Sequence, residues 1–244
     1  MSGSGFLQIA TAEPFPGQLM RALEALAEYL QRGHVWSAHA ERLAELEASA
    51  ALHTQESVSR GDHEAASLAL MALLRDEGFG GAGPAYERVE NSFIDRVLET
   101  GHGLPITLSA LAIHLAETRG IPLHGIGFPG HFIVGVGLDG LAPMVFDPFG
   151  GGEALSFGTL AELYTRATGR HLTPGAPMLR DALQPATTRS ILVRVCNNLH
   201  HHYLKRGSHD RAADVVDLLA ALHPRGVALR KLASKLERRV RTLN

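Results

Sequence analysis

The stretch "GHGLPITLSALAIHLAETRGIP", residues 101–122, decides how this chain is read. Pro105 suits the first position of a helix, where its missing N–H removes no hydrogen bond and its fixed φ is already helical. From Ile106 to Leu115 the residues are apolar on nearly every side. A helix without a polar face belongs inside a protein, so this one is predicted to be buried. Gly120 ends it, and Ile121-Pro122 prevents the helix from restarting.

The period changes after the helix. In "HFIVGVGL", residues 131–138, His131, Ile133, Gly135 and Gly137 alternate with Phe132, Val134, Val136 and Leu138. That two-residue period is a strand, opened by His131. Asp139-Gly140 is a hairpin turn signal. "APMVFD", residues 142–147, is the returning strand, closed by Asp147. A buried helix followed by antiparallel strands specifies an α+β core.

The flanking regions are helical. Leu19, Leu23, Leu26 and Leu30 form one apolar stripe. Ser37 begins a second helix, and a third carries Leu68, Met71 and Leu74 and stops at Gly78. "GFGGAGPAY", residues 78–86, is a glycine-rich turn; with no preceding strand and no Gly-Lys-Ser/Thr it is not a phosphate loop. "NSFIDRVLETG" is a short helix that Asn91 or Ser92 can cap. After the linker "TPGAP", residues 187–244 return to helix. The expected organisation is a helical region over 1–100 packed as one domain with an α+β core over 101–178, and a terminal helical hairpin over 187–244. Leu199, Tyr203, Gly207, Ala212, Val216 and Pro224 stand at the spacing of a tetratricopeptide unit. One such unit cannot bury its own face and should dock on the main domain or on the last helix, "GVALRKLASKLERRV".

Composition narrows the function. Hydrophobic residues are 45% and charged residues 20% of the 244, which places the chain among folded proteins. A net charge of −2 without a basic stripe gives no nucleic-acid footprint. No apolar run reaches the roughly 20 residues of a membrane span, and the N-terminus lacks a signal-peptide pattern. The single cysteine, Cys196, forms no internal disulfide and fits a cytoplasmic setting. His200-His201-His202 is expected to be a solvated helix face, since consecutive helical side chains diverge by about 100° and cannot share one metal ion. His102 and His124 match no standard metal-ligand spacing. The expectation is therefore no metal and no cofactor.

The polar residues around the core helix evoke a thiol enzyme. A nucleophilic cysteine works best at the N-terminus of a buried helix, where the positive dipole end and an imidazole lower its pKa. The histidine comes from an adjacent strand and an aspartate orients it. Helix start, His131 and Asp147 follow that order. "NSFIDRVLETGHGLPITLSALAIHLAETRGIPLHGIGFPGHFIVGV" followed by "VFDPFGGGEAL" resembles a bacterial family that joins a transglutaminase-like, papain-like domain to C-terminal tetratricopeptide repeats. Some of its members carry the name of invasion-gene regulators.

The resemblance implies that the nucleophile position falls on Pro105, 15 residues before Gly120. Proline has nothing to attack a carbonyl, so a cysteine-dependent transglutaminase or protease is not expected. Cys196, in the terminal helices, reads as a small packed residue. His131 and Asp147 are either a retained pair lining the old active cleft or a structural bond that helps close the core. Ser109 shares the face of Pro105 one turn deeper, and a helix-buried serine usually bonds its own i−4 carbonyl; Thr107 points away. Asn91, Pro105, Ser109, His131 and Asp147 are the candidate cleft residues. Two functions follow. One is a pseudoenzyme that binds a peptide, protein or small-molecule ligand as a scaffolding or regulatory module. The other is a hydrolase or acyltransferase using His131 and Asp147 with a non-cysteine nucleophile or an activated water.

Overall fold

A computed structural model describes residues 3–31, 36–83, 86–140 and 142–222. The apolar stripe Leu19, Leu23, Leu26 and Leu30 is the buried face of α2 (Gln18–Leu30), which pairs with α1 (Gly3–Ala10). α3 (Ser37–Ser59) and α4 (His63–Asp76) form an antiparallel hairpin. Asp62 caps α4 by accepting a hydrogen bond from the Ala65 N–H. The face of α4 differs from the sequence expectation. Leu70, Met71, Leu73 and Leu74 are buried, while Leu68 is 44% exposed. Leu70 and Leu74, four apart, define the stripe, and Leu68 falls outside it.

The glycine-rich turn holds a two-residue strand, β1 (Gly80–Gly81), paired in parallel with β2 (His102–Gly103). Between them lie a 3-10 turn (Val89–Ser92) and α5 (Ile94–Thr100). The expected cap of α5 does not form. Phe93 occupies the N-cap without a side-chain bond, because Asn91 and Ser92 are inside the preceding 3-10 turn. Gly101 ends α5 at φ 72°.

α6 (Pro105–Thr118) is the buried helix, with Pro105 at its first position. Ile106 to Ala112 and His114 to Ala116 are all buried. α2, α3, α4, α5 and the sheet pack around it. The sheet is antiparallel, in the order β3 (His124–Ile126), β4 (Ile133–Val136), β5 (Met144–Asp147), β6 (Glu153–Ala154). Both faces are covered. Phe132, Val134, Val136 and Phe146 join the main core with α6. Ile126, Ile133 and Val145 join a second core under α7 (Phe157–Thr168) and α8 (Pro177–Asp181) with Phe128, Leu160, Leu179 and Leu183. The layers close tightly at Gly135, where a Cβ would lie 2.8 Å from the end of the Leu138 side chain and 2.9 Å from that of Ile126, so both would have to shift. The fold class is α+β.

α9 (Thr188–Lys205) and α10 (His209–Leu222) form a helical pair. Leu199, Tyr203, Ala212 and Val216 are buried. Ile191, Leu192, Val195, Cys196 and Leu199 enter the same core as α2 and α6, and α10 also packs on α1. Pro224 and the last predicted helix lie outside the described residues. The histidine run is not a uniformly solvated face: His201 is exposed, but His202 is buried at 6% exposure. The 100° step between neighbours turns His202 inward beside Tyr203 while His201 points out.

Candidate functional site

Asp147 ends β5, at the point where the chain leaves the sheet in the turn Asp147-Pro148-Phe149-Gly150. Its main-chain carbonyl accepts from the N–H groups of Gly150 and Gly152, at 3.1 and 2.7 Å, which curls the glycine-rich segment back on the carboxylate. Oδ1 accepts from the Phe149 N–H at 3.1 Å, and Oδ2 accepts from His131 Nε2 at 2.9 Å. His131 does not open the strand, as the alternation suggested. It lies in the loop two residues before Ile133, with its N–H bonded to the Phe128 carbonyl. The turn formed by Pro129-Gly130 holds it there, and Gly130 has φ 70°. The two side chains are 16% and 17% exposed, so the pair is shielded without being sealed. With Nε2 donating to the carboxylate, the neutral ring has Nδ1 left as its acceptor.

Phe149 connects this pair to the start of α6. Its ring stands edge-on to the His131 imidazole, at 6.0 Å between centroids. Tyr86 meets the same phenyl ring edge-on at 5.8 Å. The Phe149 ring lies over Gly81, where a Cβ would come within 2.7 Å of it, and the Phe149 carbonyl accepts from the Gly81 N–H at 3.0 Å. Gly81 pairs with Gly103, two residues before Pro105. One continuous path of contacts therefore runs from the N-terminus of α6 through β2, β1 and Phe149 to His131.

The start of α6 is fixed by a residue that sequence reasoning set aside. Thr107 Oγ1 accepts from the Leu104 N–H at 2.9 Å and donates to the Asn91 carbonyl at 2.8 Å. The same carbonyl accepts from the Leu104 N–H at 3.2 Å. The Asn91 side chain donates to the Tyr86 carbonyl at 3.3 Å. Asn91 thus holds the helix start with its main chain and the Tyr86 segment with its amide.

Pro105 is half-buried at the first position of α6. Ser109 is fully buried, and its Oγ has no hydrogen-bond partner among the described residues; the expected bond to its own i−4 carbonyl does not form. Ser109 is therefore not hydrogen-bonded to His131. Cys196 is buried in α9, and burial pushes its thiol up to about 12. Such a thiol is protonated at neutral pH and is a poor nucleophile. His102 and His124 are exposed, on β2 and β3.

α9 supplies the other participant that the sequence did not reveal. Arg194 donates from Nη2 to the His131 carbonyl at 2.8 Å, and its guanidinium lies 5.5 Å from the centre of the Phe132 ring. No motif marks an arginine in a helix 63 residues from the histidine it touches. Phe149 was visible in "DPFGG" but carried no readable role until Gly81 was seen beneath it.

Residues 15–197 match the family model of the transglutaminase-like superfamily. The chain belongs to this superfamily. The transglutaminase-like region thus reaches from α2 into α9 and contains every residue of the site above. Among its relatives is a UPF0162 protein of Xylella fastidiosa (strain 9a5c), 38% identical over 152 residues, covering 62% of this chain and 53% of the relative. A UPF0162 protein of Vibrio cholerae is 33% identical over 168 residues, covering 68% of this chain and 60% of the relative. F-box only protein 21 of Mus musculus is 27% identical over 161 residues, covering 62% of this chain and 24% of the relative. The chain spans about half the length of the first of these relatives. No solved structure matches it.

Proposed function

We propose that this chain is a transglutaminase-like protein without a thiol nucleophile. It binds a peptide segment, a protein or a small ligand at His131 without cleaving it, as a scaffolding or regulatory module of the cytoplasm. The supporting observation is that the chain's single cysteine is buried and, among the described residues, makes no hydrogen bond to His131 or Asp147. Cys196 is buried in α9 with its thiol pushed up to about 12, while α6 begins with Pro105 at the place the resemblance gives to the nucleophile. The retained polar pair, shielded but not sealed and set edge-on to the Phe149 ring, suits recognition: a ligand group meets one ring nitrogen and an apolar wall. The α9–α10 pair reads as a tetratricopeptide-like hairpin, supported by the burial of Leu199, Tyr203, Ala212 and Val216.

The test is a titration of the full chain, with histidine rings isotope-labelled, against a set of blocked tripeptides. Binding should move the His131 ring signals and leave the peptides intact by mass spectrometry. Cys196→Ala should leave the affinity unchanged, and His131→Ala should abolish it. Peptide cleavage that needs His131 and survives Cys196→Ala would replace this reading with the non-thiol hydrolase.

A further inference from the structure

At the end of α6 opposite Pro105 the fold leaves a cleft of about 340 Å³. None of its lining residues belongs to the site around His131 and Asp147. Leu19 on α2, Ile113 on α6 and Ile191 on α9 form its apolar wall, with Phe15 and Ile121 from the adjoining loops. A cleft of this size, apolar with a few placed polar groups, has the ordinary form of a small-molecule site.

Two polar groups of the lining have fixed roles. Gln18, the first residue of α2, is 5% exposed. Its amide nitrogen donates to the carbonyls of Ile9 and Ala12, at 2.9 and 3.2 Å. A carbonyl only accepts, so these bonds settle which way the amide is turned and use both of its N–H groups. Neither Ile9 nor Ala12 lines the cleft. What Gln18 offers there is Oε1, which accepts no hydrogen bond among the described residues. Glu117 follows Ile113 by one turn, on the same face of α6. One of its oxygens accepts from the Gly17 N–H at 3.0 Å, and the other has no partner among the described residues. Arg21, whose guanidinium lies 5.8 Å from the centre of the Phe15 ring, makes no ion pair with it. Both groups are acceptors and one is charged. Their complement is a positively charged group that only donates, which is an ammonium.

We propose that this cleft is a second binding site, for a small primary amine with an apolar body. The ammonium donates to Gln18 Oε1 and to the free oxygen of Glu117, and the hydrocarbon part lies on Phe15, Leu19 and Ile113. Thr188 and His124 also line the cleft and can donate or accept. Thr188 begins α9, and the first N–H groups of a helix favour an anion, so the charge of the ligand is what the experiment decides.

The probes are phenethylamine, phenethyl alcohol and phenylacetate, titrated at neutral pH into the full chain with its histidine rings isotope-labelled. His124 lines the cleft, so its ring signals should move with the amine while those of His131 stay in place. The amine, charged at this pH, should bind at least tenfold more tightly than the alcohol, and phenylacetate should bind most weakly. Glu117→Gln keeps an oxygen for the Gly17 N–H and removes the charge, so in this variant the preference for amine over alcohol should disappear. If amine and alcohol bind alike, or if the amine does not move His124, the site is wrong. Phenylacetate binding most tightly would make the cleft an anion site and also overturn the proposal. A preference for the amine that survives in Glu117→Gln overturns the part assigned to Glu117. Each of these outcomes leaves the binding reading at His131 standing, because the two sites share no residue.

Discussion

Glu24 lies half-buried on α2, with Glu28 and Glu47 nearby, and Glu47 accepts a 2.7 Å bond from His114. Burial chiefly, and then the two neighbouring carboxylates, outweigh Arg21 and push Glu24 up to about 7. The sign of the consequence follows from proton linkage. Between about 4.5 and 7 the folded chain holds a proton that the unfolded chain has released. Glu24 therefore favours the folded state at low pH and loses that contribution as pH rises through this window. Glu24→Gln imitates the protonated form. Thermal melts should show it more stable than the parent at pH 8, with the gain shrinking toward zero near pH 4.5. A gain independent of pH would show that the carboxylate is solvated after all. None of this was legible in "LMRALEALAEYL", because the stripe of leucines on α2 is local while the carboxylates that crowd Glu24 include one from α3.

At the scale of elements, the site depends on how α5, β1 and β2 are joined. Gly101 ends α5 in the left-handed region, and its carbonyl accepts from the Gly80 N–H at 2.9 Å. A Cβ at Gly101 would stand 2.6 Å from the Gly78 carbonyl oxygen, which is backbone and cannot swing aside. Gly120 has a similar φ of 68° with nothing within 4 Å. Gly120→Ala should lose only the conformational term, about 1–2 kcal/mol. Gly101→Ala should lose that and more, because β1 must also move away from β2. Denaturant melts of the two variants check this, and equal losses would show that the backbone at Gly78 gives way freely. The helices and the hairpin were readable because Pro105, Gly120 and Asp139-Gly140 act over a few residues. The two-residue strands β1 and β2 were not, since a pair that short has no period to detect.

Across the whole molecule, the terminal helices are structural partners of the core. Ile191, Leu192, Val195, Cys196 and Leu199 share it with α2 and α6, and Lys205 and Arg206 pair with Glu87 and Glu90 on the segment before α5. A chain ending at residue 186 should lose its cooperative melt and its near-UV circular dichroism signal. It should also bind a hydrophobic dye, as exposed apolar faces of α2 and α6 require. A truncated chain that melts as the parent does would make α9 and α10 an independent appendage. The amino-acid sequence by itself determined the buried α6, the hairpin that follows it and the α+β class, because hydrophobic period, proline and glycine act locally. It also placed His131 and Asp147 on adjoining segments. Only the tertiary structure decided that Phe149 settles on Gly81, that Thr107 and Asn91 pin the start of α6, and that Arg194 reaches His131 from α9. Those contacts join residues far apart in the chain, and they form only when the packing of the core brings their elements together.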